Sequence, residues 1–211
     1  MLWGEGEAVS AVVYHGKGIA YGSWANAAHV RTQREDSVEQ IAHARLLGDA
    51  EVCLNVHVCS VLRAEEPRLW PQIVVRRRVD PDAWRIRGDD GLIEEMVLAL
   101  ALNALDAIED EGRVTFETRN LVLREGCITR ATGLAPGPYV MLTVEDTGRG
   151  MDAGTLSQVF EPAMASASAP NRPVLAGVMR IARLHHGHVC VSSAPREGTT
   201  VRVYLPAEPP A

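Results

Sequence analysis

Asp146, Gly148 and Gly150 stand as Asp-x-Gly-x-Gly, with Met151 directly after, at the end of an alternating apolar run from Tyr139 to Val144. Such a run reads as a buried strand, because side chains alternate faces along an extended chain. Its end holds a carboxylate on a rigid edge, followed by a backbone without Cβ at two alternate positions. Glycine reaches φ > 0 without steric cost and lets a flat ligand lie against the main chain. A carboxylate placed there can accept a hydrogen bond from an exocyclic amine such as that of adenine. A plain strand-turn satisfies the same pattern, so its meaning depends on what stands on either side.

Asn103 is the second residue with chemistry to offer, in Leu102-Asn103-Ala104-Leu105-Asp106-Ala107. A buried helix carries an amide poorly unless the amide has a partner. Asn103 is then a satisfied core residue, part of a solvated face, or a neutral oxygen ligand for Mg²⁺, which takes hard oxygen donors and shares itself with phosphates. The helix that carries it is expected from Leu92 to about Asp110, capped by Asp89-Asp90 and ended by Gly112. It is apolar over most of its circumference and therefore buried. Glu95, Ala99, Asn103, Asp106 and Asp110 fall three or four apart and share one face.

The elements around these residues follow from pattern. Val9 to Tyr14 and Gly18 to Tyr21 suggest a hairpin about His15-Gly16-Lys17. Ser37 to Leu47 reads as a helix stopped by Gly48, and Glu51 to Arg63 as another, although Val52, Val56 and Val58 weaken it. Ile73 to Val79 and Trp84 to Arg87 are strand-like, separated by a Pro81-Asp82 turn. Arg113 to Leu123 is a strand and Arg124 to Pro138 a loop. Residues 152 to 172 carry little pattern. Pro173 to His186 reads as a helix with proline in its first turn. His188 to Ser193 and Thr199 to Leu205 close the chain as a hairpin.

A length of 211 residues suits one domain plus an extension, and 46% apolar content supports a core. A net charge of −6 argues against a nucleic-acid partner. The basic triplet Arg76-Arg77-Arg78 sits in a strand-like run and reads as a solvated edge. Cys53, Cys59, Cys127 and Cys190 form no CxxC pair, so free thiols in a reducing cytoplasm are expected. No apolar run approaches the roughly 18 to 20 residues of a membrane span, and the N-terminus lacks the regions of a signal peptide.

The order of parts is more specific than any one of them. It runs from the helix with Asn103-Ala104-x-Asp106-Ala107 through strand, loop and strand to Asp-x-Gly-x-Gly-Met. Phe160-Glu161-Pro162, a helix, His185-His186-Gly187-His188 and Gly198-Thr199-Thr200 follow. Over about residues 50 to 206 this resembles the catalytic and ATP-binding domain of bacterial sensor histidine kinases, in the GHKL ATPase superfamily. The resemblance implies a two-layer α/β sandwich, with helices packed on one face of a mixed sheet. It implies domains at 1–48, an extension left over from a PAS sensor or a linker, and 49–211, the ATP-binding unit. Carried over by position, Asn103 resembles the family's Mg²⁺ ligand, followed by Asp106 and Ala107. Asp146 resembles the acid that reads the adenine amine, with Gly148, Gly150 and Met151 beside it. Thr199 resembles the threonine assisting at the adenine, and Phe160 with Pro162 the F box. The implied cofactors are ATP and Mg²⁺, and the implied partner is a response regulator or a histidine-containing segment.

The departures qualify the activity. Ala99 stands where many members have Asn, His or Glu one turn before the metal ligand, and in gyrase-like members that Glu activates water. Alanine cannot. The family's glycine-rich lid corresponds to Pro170-Asn171-Arg172-Pro173-Val174-Leu175, which has no glycine and two prolines without an NH to donate. Each charge-assisted hydrogen bond forgone there is worth roughly 1.5 to 3 kcal/mol, and Arg172 is the candidate phosphate clamp in its place. His43 lacks the acid that follows a phosphoacceptor histidine. His185, His186 and His188 are expected to be structural. Two readings stay open: a kinase nucleotide domain acting on another segment or chain, and a non-catalytic relative that docks regulators.

Overall fold

The computed structural model describes residues 9–15, 18–23, 50–65, 72–124, 126, 132–159 and 172–210. The spine is an antiparallel pair, β6 (Gly112–Leu123) and β7 (Gly137–Asp146), in unbroken register from Val114 opposite Asp146 to Leu123 opposite Gly137. A closing hairpin, β8 (His188–Ala194) and β9 (Gly198–Pro206), extends it, with β9 antiparallel to β7. On the other side β4 (Ile73–Val79) runs parallel to β6 as the sheet edge, and Arg76, Arg77 and Arg78 are exposed there. The hairpin expected near the N-terminus forms as β1 (Val9–His15) and β2 (Gly18–Ser23), and β1 joins β8 in parallel. The sheet is thus mixed and seven-stranded, in the order β2-β1-β8-β9-β7-β6-β4.

One face of this sheet is apolar. Val114 and Phe116 of β6, Leu142 and Val144 of β7, and Val189 and Val191 of β8 lie in one core with the helices. The main partners are Ile93, Met96, Val97 and Leu100 of α2 (Asp90–Asp106), which carries the expected Asn103. Leu175, Val178, Ile181 and Ala182 of α4 (Arg172–Leu184) pack beside them, and Val58 and Val61 of α1 (Leu54–Glu65) complete the layer. Phe116 is 1% exposed, and deleting such a ring costs about 3 to 5 kcal/mol. The opposite face holds a smaller cluster of Leu123, Leu134, Tyr139, Cys190 and Tyr204. Two layers with helices on one face match the expected fold class.

Several boundaries differ from the sequence reading. Glu51 to Arg63 divides into a short strand, β3 (Ala50–Val52), and α1; β3 pairs with β5 (Ile86–Gly88) as a separate two-stranded sheet. Val52 thereby enters the core in an extended conformation that suits a β-branched residue. A six-residue helix, α3 (Ala153–Gln158), stands in the patternless segment after Met151, capped by Asp152, which accepts from Thr155 N at 2.7 Å. Helix α2 starts as expected, with Asp89 Oδ1 accepting from Leu92 N at 2.9 Å. It ends at Asp106 rather than Asp110, so Asp110 leaves the shared face. The cause is tertiary: the Ala107 carbonyl accepts from Arg149 N at 2.8 Å, outside the helix. The expected helix Ser37–Leu47, His43, Cys127, Phe160 with Pro162, and residues 170–171 lie outside the described residues.

Candidate functional site

Asp146 ends β7 directly opposite Thr199 of β9, so their side chains stand side by side on the helix-facing side of the sheet. Asp146 is 4% exposed, and its Oδ1 accepts from Gly148 N at 2.9 Å and from Thr199 N at 3.2 Å. Its other oxygen, Oδ2, has no hydrogen-bond partner among the described residues. Burial pushes the carboxyl up to about 6, while the two backbone N–H groups pull it back toward the carboxylate. A carboxylate with one oxygen locked and one open is a directional acceptor.

The two glycines act differently from the sequence expectation. A Cβ on Gly148 would fall onto the Ala107 carbonyl, and a Cβ on Gly150 onto the Ala194 carbonyl. Gly150 also has φ +63, a conformation that favours glycine. The close approach is therefore of the protein's own backbone: the turn 147–150 is pressed between the end of α2 and the β8–β9 hairpin. Arg196 N donates to Arg149 O at 2.8 Å and Arg149 Nη1 to Asp106 O at 3.1 Å, closing the same seam. A groove of about 570 Å³ on this seam is lined by Asp110, Gly148, Arg149 and Arg196, among others, and not by Asn103 or Asp146.

Ser193 was not among the residues singled out in the sequence. Its hydroxyl accepts from Met151 N at 2.8 Å, donates to Gly198 O at 2.9 Å and lies 3.0 Å from Thr199 Oγ1. It thus ties the end of the glycine turn to the residue opposite Asp146. The available signal was alternation: Val189, Val191 and Ser193 share a face, and only the last is polar.

Asn103 lies on α2 one turn before Ala107, and it is 6% exposed. Its Oδ1 is buried and has no hydrogen-bond partner among the described residues. A buried acceptor without a donor is costly, by about 1 to 3 kcal/mol. A neutral oxygen without a donor is what a hard cation takes. Ala99, one turn earlier, is half-buried, and Asp106 is exposed. Arg172 opens α4.

Of the three histidines near the end of α4, His185 is structural, His186 faces solvent, and His188 is buried with its Nε2 unpartnered among the described residues. His185 donates from Nδ1 to Ile181 O at 2.8 Å and accepts at Nε2 from Asp89 N at 3.1 Å, joining the end of α4 to the cap of α2. His186 is exposed with φ 56 in the helix-to-strand turn. His188 is buried and lowered to about 4 by burial, with the Arg183 charge adding to it. No group of three or more His, Cys, Asp or Glu placed to hold a metal occurs among the described residues.

Residues 88–209 match the family described as histidine kinase-, DNA gyrase B-, and HSP90-like ATPase. Over 127 residues the chain is 32% identical to the sensor kinase CckA of Brucella abortus, which covers 59% of this chain and 13% of that protein. It is 32% identical over 126 residues to the sensor histidine kinase ZraS of Klebsiella oxytoca, covering 60% of this chain and 24% of that one. The chain thus spans less than a quarter of the length of these curated relatives. In fold it resembles the mycobacterial sensor histidine kinase MprB, with a TM-score of 0.58 and 22% identity over 77% of this chain and 99% of that structure. The corner at Asp146 and the helix of Asn103 both lie inside the matched span, and the chain belongs to the histidine kinase-, DNA gyrase B- and HSP90-like ATPase family.

Proposed function

We propose that residues 49–211 bind Mg·ATP for phosphoryl transfer to a histidine on another segment or chain, and that residues 1–48 are an extension to this unit. The observation that carries the reading is the half-used carboxylate. Asp146 Oδ1 is held by two backbone N–H groups, and Oδ2 is left to accept from the adenine amine. Thr199 stands next to it, and Gly148, Gly150 and Met151, assigned to the same site, form the turn that follows Asp146. Phe160 is assigned to nucleotide binding from its place in the family pattern alone.

Asn103 Oδ1, buried and without a donor, is assigned to Mg²⁺, with Asp106 and Ala107 following it at the end of the helix. When bound, Mg²⁺ supplies charge neutralisation for the phosphate oxygens. Arg172 at the first turn of α4 is assigned to the phosphates, where a helix N-terminus also favours anions. The receiving histidine, a response regulator as partner, and a cytoplasmic site of action belong to this proposal. Among the described residues no helix is long and apolar enough to cross a membrane.

Ala99 favours one narrower reading, a nucleotide-binding module that docks regulators without catalysis, because no side chain there can orient or activate a group beside Asn103. Titration with ADP, ATP and a non-hydrolysable analogue, with and without Mg²⁺, tests the assignment. Binding is expected, with ATP preferred over ADP by less than about a hundredfold, or 2.7 kcal/mol, because the prolines near Arg172 remove phosphate donors. Absence of binding of all three would overturn it. Incubation of this chain alone with labelled Mg·ATP is expected to leave no acid-labile, base-stable phosphohistidine. Such a label that disappears in His43→Ala would make His43 the acceptor.

A further inference from the structure

Ser193 lies on the helix-facing side of β8 and is 5% exposed. A serine hydroxyl has one hydrogen and two lone pairs. Of its three neighbours, the Met151 amide can only donate and the Gly198 carbonyl can only accept. The single hydrogen of Ser193 therefore goes to Gly198. The remaining approach, 3.0 Å to Thr199 Oγ1, closes only when the Thr199 hydroxyl donates to Ser193. Thr199 then turns lone pairs, and no hydrogen, to a ligand. Asp146 Oδ2 beside it also offers only lone pairs once the carboxyl is ionised.

We propose that Ser193 is a positioning residue that sets base specificity: by accepting the hydrogen bond of the Thr199 hydroxyl it turns Asp146 and Thr199 into a pair of acceptors that receives an exocyclic amine and rejects a carbonyl at purine C6. The inference rests on the nucleotide reading above and adds the group that gives the corner its polarity. A 6-oxo purine would place its lone pairs against those of both residues in a site with little water, and a buried polar group left unpaired is what produces strong discrimination. Ser193 touches no base itself; it acts through Thr199.

The test is titration of the full chain and its variants with ADP and with inosine diphosphate, which carries a carbonyl in place of the amine at C6 and a hydrogen on N1. The unsubstituted chain is expected to prefer ADP. Ser193→Ala is expected to weaken both ligands through loss of the clip at Met151. It should also lower the ADP-to-IDP ratio about fivefold or more, because the freed Thr199 hydroxyl can rotate to donate. In a Thr199→Val background the same Ser193→Ala change is expected to move the ratio by less than about twofold, and Ser193→Thr is expected to retain the original ratio. Equal weakening of both ligands with an unchanged ratio would reduce Ser193 to a structural clip and overturn the proposal. An equal fall in ratio with and without the Thr199 hydroxyl would also overturn it. Failure of the unsubstituted chain to bind either ligand would overturn the nucleotide reading itself. Should Ser193→Ala not fold, Ser193→Cys, similar in size and weaker in both hydrogen-bonding roles, is expected to lower the ratio in the same direction.

Discussion

The corner at Asp146 and the end of α2 at Asn103 belong to one family pattern, yet they are built in opposite ways. At the corner the protein's own groups meet one another. Asp146 Oδ1 is bonded by two amides, Ser193 is saturated, and Gly148 and Gly150 are filled by the carbonyls of Ala107 and Ala194. At Asn103 a buried oxygen is left with no partner among the described residues, and Ala99 offers it nothing. The first site is complete as folded and offers a ligand one oxygen. The second carries a desolvation penalty that a donor or a cation would relieve. Substitutions should therefore cost stability at the first site and not at the second.

The largest expected effect is at Gly150. Gly150→Ala combines a left-handed backbone with overlap on the Ala194 carbonyl, and is expected to destabilise the domain by about 3 kcal/mol or more. Chemical denaturation reads this directly. A loss below about 1 kcal/mol would show that the turn can shift, and the contrast between the sites would weaken.

Next, Asp146→Asn is expected to weaken ADP at least about tenfold, 1.4 kcal/mol. Unchanged affinity would remove Asp146 from the base site. Proton competition should act at the same atom. With the carboxyl near 6 in the nucleotide-free protein, lowering the pH from about 7 to 5 neutralises the acceptor and is expected to reduce affinity by up to about tenfold. The fall should be absent in Asp146→Asn. Affinity is the right readout here, because stability has opposed terms. The raised Asp146 contributes stability present below about 4 and lost as pH rises through about 6. His188, lowered to about 4, costs stability as pH falls below its ordinary value of about 6.5.

The smallest effect on the fold is expected at Asn103. Asn103→Ala removes an orphaned acceptor and is expected to leave stability within about 1 kcal/mol of the parent, or to raise it. In the same variant the Mg²⁺ dependence of ATP affinity should disappear. A drop of several kcal/mol in the denaturation experiment would mean that Asn103 is an ordinary core amide, and the two sites would no longer differ in kind.

By itself the sequence determined the strands β4 and β6 to β9, the cap of α2 at Asp89, and the positions of Asp146, Thr199 and Asn103. Each depends on periodicity or on a residue's nearest neighbours along the chain, and those are written locally. Valines blurred one helix into β3 and α1, because a β-branched residue serves either element and strand pairing with β5 decided the matter. Three further features were decided only by the tertiary structure. Helix α2 stops at Asp106 because Arg149, 42 residues past Ala107, supplies an amide to the Ala107 carbonyl. Ser193 gains its role because Met151 and Gly198 converge on one hydroxyl. Asn103 Oδ1 is an orphan because the described residues packed around it supply no donor. A hydrogen bond is short and directional, so its partner can be any residue that the fold delivers, and spacing along the chain carries no trace of which one arrives.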